Sequence, residues 1–237
     1  MGLLTLGAAL LLRVFVLDAY RIPTDSMADT LLPGDVVLVN KLLYGARLGH
    51  SPSGADRLIS AFRMPGFRDP ARGDILAFHA PQKKGVVYVK RCVAVPGDTL
   101  SLRDGTLFVN GLPVPLPSGG RGAGRDAAVR LSPSPTGHLV VPGRGLRLEA
   151  DGESRRMWGS LLREEEGGEG GFSVPGYDYY FVLGDNRPRS RDSRSWGFVR
   201  EDAIVGSPFL IIWSREPVAS RSPFAHLRLS RVGTLLR

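Results

Sequence analysis

The sequence predicts a mostly β domain that carries an N-terminal transmembrane helix and a loop-rich insertion. Three observations predict it. Residues 2–17 (GLLTLGAALLLRVFVL) form an apolar run whose only charge is Arg13. Thirty glycines and 18 prolines punctuate the rest of the chain, and between them lie short β-rich runs rather than long helical periods. Finally, residues 113–176 lose the strand pattern and become Gly- and Arg-rich in their first half. The expected organisation is an anchor over residues 1–19, a β domain built from residues 20–112 and 177–237, and a small accessory insertion at residues 113–176.

Bulk composition bounds what the chain can be. An apolar content of 43% and an aromatic content of 8% in 237 residues are those of a folded globular protein with a core of its own. The net charge is +8, and of the 31 basic side chains only Lys41, Lys83, Lys84 and Lys90 are lysine. Such a surface suits contact with anionic lipid headgroups. It carries no zinc spacing, helix-turn-helix pattern or aromatic–basic interleaving, so nucleic acid is not an expected partner. A single cysteine, Cys92, excludes an internal disulfide, and the four histidines are scattered without ligand spacing. Neither a metal nor another cofactor is expected.

Taken in order, the apolar run falls slightly short of the roughly 20 residues that span a bilayer comfortably, and Arg13 can snorkel to a headgroup region. It lacks a basic n-region and a small-x-small site before Tyr20, which argues against a cleaved signal peptide. A polar turn, RIPTDSMADTL at residues 21–31, follows. Residues 36–39 (VVLV), 75–78 (ILAF) and 86–95 (VVYVKRCVAV) read as strands, the last being the strongest. Asp-Gly at residues 104–105 and Asn-Gly at residues 110–111 mark tight hairpins around 100–103 and 106–109. Within the insertion, 140–141 and 146–148 read as strands and 153–166 as a surface helix. Strand character returns at 177–183 (YDYYFVL), 203–206 and 208–213 (PFLIIW), with a dense polar loop between at 184–197.

Three segments hold chemistry. Ser26 lies in the polar turn, where a serine is either a connector or a nucleophile that needs a base. Lys90 lies inside the strongest strand and shares a face with Tyr88, Cys92 and Ala94, so burial would make it neutral and basic enough to serve. The alternative is a lysine that snorkels to the strand edge or pairs with a carboxylate. The 184–197 loop is either a solvated hydrogen-bond network or a brace for a buried lysine. The residues alone leave these alternatives open.

In this order the three segments resemble the signature boxes of bacterial type I signal peptidases, membrane-anchored Ser/Lys proteases. IPTDSMADTL at residues 22–31 resembles the family's IPSGSMxPTL. Residues 72–78 and 88–98 resemble RGDIL-F and YVKRxVxxPGD, residues 184–199 resemble GDNRxxSxDSRxWGxV at each fixed position, and LRLSRVG resembles the family's tail. The resemblance implies a signal-peptidase-like β domain with Ser26 as nucleophile and Lys90 as general base. It implies an oxyanion hole from the Ser26 N–H and the Thr24 hydroxyl, a hydrogen bond from Ser190 to Lys90, and ion pairing of Asp192 with Arg194 and Arg187 that braces the loop.

The implied substrates are extended signal peptides of preproteins, with small residues at the first and third positions before the cleaved bond. The implied location is the plasma (inner) membrane, single-pass, with the catalytic domain on the extracytoplasmic side. The first box departs from the family at Thr24, Asp25 and Asp29, where Ser, Gly and Pro are usual. Those departures admit two alternatives, a specialised conjugation-type maturation peptidase and an inactive signal-peptide-binding relative.

Overall fold

The computed structural model describes residues 16–46, 63–103, 106–114, 138–149, 172–217 and 226–236. Among them the strands are β1 (Leu17–Arg21), β2 (Asp35–Asn40), β3 (Ile75–His79), β4 (Val87–Ala94), β5 (Thr99–Arg103), β6 (Thr106–Val109), β7 (Leu112–Pro113), β8 (His138–Val140), β9 (Leu148–Glu149), β10 (Phe172–Ser173), β11 (Tyr179–Leu183), β12 (Val199–Arg200) and β13 (Ile204–Ser214). One short α-helix, α1 (Ser193–Trp196), and three 3-10 turns, at Arg187–Arg189, Glu201–Ala203 and Leu229–Arg231, accompany them. The mostly β expectation describes this part of the chain.

Seven strands form one sheet in the order β1-β2-β13-β3-β4-β11-β12, and four form a second in the order β7-β6-β5-β8. β9 and β10 make a separate pair. Burial in β2 alternates strictly, as period-two side chains facing one core demand. The Asn-Gly turn behaves as expected, with Asn110 at φ 51° and Gly111 at φ 79°, values that a primed hairpin turn requires.

Four details differ from the sequence expectations. β1 begins at Leu17, so residues 17–19 pair with β2 instead of ending an apolar helix. The alternation Asp18, Tyr20 against Leu17, Ala19 suits a half-exposed strand better than lipid. Residues 1–15 lie outside the described residues, and among the described residues no helix is long and apolar enough to cross a membrane.

Residues 203–206 and 208–213 are not two strands. β13 is continuous, pairing with β3 near Ile204 and Gly206 and with β2 from Ser207 onward. Pro208, which lacks an N–H donor, sits at a register shift in the ladder, where a missing donor costs least.

The insertion is not separate where it is described. Leu139 and Val141 are buried in one cluster with Val93, Ala94, Leu100, Leu107, Tyr179 and Phe181. The helix expected at 153–166 lies outside the described residues. Lastly, the β4 register against β11 passes from Ala94–Phe181 to Cys92–Val182, leaving Val93 as an extra residue. Val93 and Ala94 therefore both join that cluster, while Cys92 packs with Leu76, Phe78 and Val182. Ala94 does not share the face of Lys90.

Candidate active site

Residues 22–34 leave the sheet and return to it as a closed loop. At its base the Ile22 N–H donates to the Asp35 carbonyl and the Gly34 N–H to the Ile22 carbonyl, both at 2.8 Å. Ile22, Met27 and Leu31 are buried against Val37, Val39, Ile75, Ala77 and Val89. Met27 and Leu31 are four apart and joined by a Leu31 N–H to Met27 carbonyl bond of 2.7 Å, so one helical turn presses both into the sheet. Ser26, adjacent to Met27, is carried inward with it and is itself buried.

β4 brings Lys90 to the same point. Lys90 is 5% exposed, and its Nζ lies 2.6 Å from Ser26 Oγ and 3.0 Å from the Val89 carbonyl oxygen. Burial pulls the ammonium from its usual 10.5 down to about 8, against the opposing pull of the Asp192 and Asp185 carboxylates. A shift of that size favours the neutral amine by roughly 3 kcal/mol relative to a solvated lysine. Thr24 is exposed, with its Oγ1 3.3 Å from Ser26 Oγ. The structure thus brings Thr24, Ser26 and Lys90 together, the latter two 64 residues apart.

The polar loop grips the Ser26 loop directly. The Asn186 N–H donates to the Ser26 carbonyl at 3.1 Å, and Asn186 Nδ2 donates to the Asp25 carbonyl at 3.0 Å. Gly184 lies so close that a Cβ there would collide with the Ser190 side chain and the Ser26 carbonyl oxygen. Asp192 is fully buried; its carboxylate receives Arg194 Nε at 2.7 Å and Nη2 at 2.9 Å and the Gly184 N–H at 3.0 Å. It also caps α1 through the Arg194 N–H. Arg194 Nη2 donates onward to the Arg187 carbonyl at 2.6 Å. Arg187 thus contributes its main chain to Arg194. Ser190 lies in this cradle, yet its Oγ is buried without a hydrogen-bond partner and does not bond Lys90.

Several residues that share this network had no assigned role in the sequence. Asp185 takes a two-pronged ion pair from Arg91, Nε to Oδ1 and Nη2 to Oδ2 at 2.8 Å each, and accepts the Thr30 hydroxyl at 2.5 Å. Arg91 follows Lys90, and Thr30 belongs to the Ser26 loop, so one carboxylate ties both segments to the third. Asp185 and Asn186 lie at fixed positions of the last box, which is the signal that pointed to them. Thr30 and Arg91 carried only their box membership.

Two of the three departures, Asp25 and Asp29, now have physical accounts. Asp25 pairs with Arg189, Nη1 to Oδ2 at 3.0 Å, which offsets the carboxylate beside Ser26. Positive φ among described non-glycine residues occurs at Asp29, Asn110 and His226, so Asp25 needs no glycine-like backbone. Asp29, at φ 88°, adopts a conformation that proline, fixed near −65°, cannot enter.

Fold and site together define a β-sheet protein in which a serine hydroxyl is held against a buried, weakly basic amine. Comparison with known proteins carries this further. The family model described as signal peptidase, peptidase S26 matches residues 1–213. Signal peptidase I of Pseudomonas aeruginosa is 33% identical over 95% of this chain and 74% of its own. That of Aquifex aeolicus is 32% identical over 87% and 80%. A crystal structure of a signal peptidase I from Enterococcus faecalis V583 aligns at 30% identity over 59% of this chain and 97% of its own, with a TM-score of 0.34. The chain belongs to the signal peptidase, peptidase S26 family, a family of peptidases.

Proposed function

We propose that the protein is a membrane-bound serine endopeptidase that removes N-terminal signal peptides from secreted preproteins. The observation that carries this reading is the 2.6 Å approach of Lys90 Nζ to Ser26 Oγ in a buried setting that makes the amine weakly basic. Neutral Lys90 takes the Ser26 proton as Oγ attacks the scissile carbonyl. The Ser26 N–H and the Thr24 hydroxyl face the developing oxyanion, a contribution typically worth about 10²–10³ in rate per donor. Lys90 returns the proton to the leaving amine, and the same amine then activates the water that hydrolyses the acyl-enzyme. Asp192, Arg194, Asn186 and the Gly184 backbone hold the loop against Ser26. Ser190, lodged between them, supports the same face.

The substrate lies extended. β11 reaches only to Arg91 of β4, so residues 87–89 pair with β3 alone among the described residues and present a strand edge beside Lys90. Small residues before the cleaved bond would allow a peptide to approach that edge closely. Residues 1–15 would provide the anchor in the plasma membrane, with the β domain on the extracytoplasmic side.

A cleavage assay with a preprotein in detergent tests the proposal. Wild type is expected to cleave, and Ser26→Ala and Lys90→Ala to lose at least about 10³-fold in rate. Full processing by either variant sinks the reading.

A further inference from the structure

The C-terminal tail, which has no part in the chemistry above, reaches the underside of the nucleophile loop. Asp35 opens β2 with its carboxylate fully buried. Its Oδ1 accepts the Ser214 hydroxyl at 2.6 Å, and its Oδ2 accepts the Leu32 N–H at 2.8 Å. Two tail arginines complete the site. Arg231 donates from Nη2 to Oδ2 at 2.7 Å and from Nε to both oxygens at 3.2 Å. Arg228 lies more loosely, with Nη2 3.5 Å from Oδ1.

The two arginines then diverge. Arg231 Nη2 also donates to the Thr30 carbonyl at 2.9 Å, inside the nucleophile loop. Arg228 donates instead to the Pro33 carbonyl at 2.5 Å and the Arg215 carbonyl at 3.3 Å, at the loop's base. Thr30 is therefore held from both sides, its carbonyl by the tail and its hydroxyl by Asp185, which is paired to Arg91 beside Lys90. The residue before it, Asp29, is in the left-handed region at φ 88°. A non-glycine residue there is strained and persists only where its surroundings over-determine it. Apolar packing of Met27 and Leu31 sets how deep the loop sits, but packing is not directional; the Thr30 bonds are.

We infer that Arg231 is a positioning residue of the acylation step: anchored on Asp35, it clamps Thr30 and so fixes Ser26 against Lys90, whereas Arg228 serves stability alone. The inference rests on the Ser26–Lys90 reading. It is tested on the full chain in detergent with Arg231→Gln, Arg231→Lys and Arg228→Gln, by melting temperature, by the rate at which a serine-directed acylating probe labels Ser26, and by kcat and KM for a preprotein.

Misplacement of a reacting group by an ångström costs up to about 10²-fold. Arg231→Gln is therefore expected to lower kcat and labelling about 10- to 100-fold with KM within about twofold. Arg231→Lys keeps the charge on Asp35 but lacks the fork that also reaches Thr30. It should recover melting temperature without recovering rate. Arg228→Gln should lower the melting temperature yet label within about threefold of wild type.

Wild-type labelling by a folded Arg231→Gln overturns the clamp. If that variant does not fold, wild-type labelling by Arg231→Lys overturns it instead. A loss of rate that tracks melting temperature equally at both arginines also overturns it. A wild type that neither labels at Ser26 nor cleaves overturns the clamp together with the reading beneath it.

Discussion

The second sheet and the site region are both well buried, but they are fastened by different forces. Around β5, β6 and β8 the holding contacts are mainly apolar: Leu100, Leu107, Val109, Leu139 and Val141 interlock with Tyr179, Phe181 and Phe198, with a buried carboxylate, Asp98, met by Arg72 and Asn110 at the entry to β5. Around Ser26 and Lys90 three buried carboxylates add directional contacts to the apolar packing of Ile22, Met27 and Leu31. Asp35, Asp185 and Asp192 are each nearly or fully buried, and each is met by arginine. Dispersion and water exclusion fill space without fixing direction. A hydroxyl that must sit within hydrogen-bond reach of an amine needs directional bonds, and the charged network provides them despite its desolvation cost.

The sharpest test of that contrast is Lys90→Met. Catalysis should fall by at least about 10³-fold, while the melting temperature at pH 7 should rise. The sign follows from the depressed ammonium. Below about pH 8 the lysine is protonated in both states and the native state bears the full burial cost. Between about 8 and 10.5 the unfolded chain holds the extra proton, so stability climbs with pH through that window. The methionine variant should gain roughly 1–3 kcal/mol at neutral pH and lose this climb. In wild type, kcat/KM should rise with pH through about 8 and level off above it. A flat profile across that range contradicts the lysine-base assignment.

A pair of substitutions separates the two kinds of fastening. Asp192→Asn breaks a buried ion pair and should cost about 3–5 kcal/mol, with kcat of the folded enzyme falling as well. Leu100→Ala should cost a comparable 2–5 kcal/mol through its cavity but leave kcat of the folded fraction within about twofold. Denaturant unfolding and active-site-titrated kinetics measure both. Equal kcat losses would erase the distinction.

Smaller effects probe the Ser26 loop itself. Asp29→Gly removes the left-handed strain and should stabilise by about 1 kcal/mol, whereas Asp29→Pro, the residue usual in the family box, should destabilise because φ 88° is closed to it. Arg189→Gln leaves the Asp25 carboxylate beside Ser26 without its arginine. Because both side chains face solvent, stability should change by less than about 1 kcal/mol. Rate should fall a few-fold and return in the Asp25→Gly, Arg189→Gln double variant.

Much of this protein is legible in its amino-acid sequence. Gly-Asp and Asn-Gly punctuation and period-two runs place the strands at 36–39, 75–78, 86–95 and 106–109, because turn chemistry and alternation are local properties of the chain. The boxes single out Ser26 and Lys90 as partners through resemblance. What local pattern does not carry is whatever depends on contacts across long separations. The bulge at Val93 is set by the register of β11, a strand distant in sequence. The continuity of β13 through Pro208 depends on its change of partner from β3 to β2. No local pattern singles out Asp35, and only the fold closes the tail arginines over it. Asp25 stands where the family box has glycine, and only the fold brings Arg189 to meet it. Local pattern determines which elements form; tertiary contact alone decides which buried charge finds a partner, since a lone buried charge is too costly to stand and the partner lies wherever the fold delivers it.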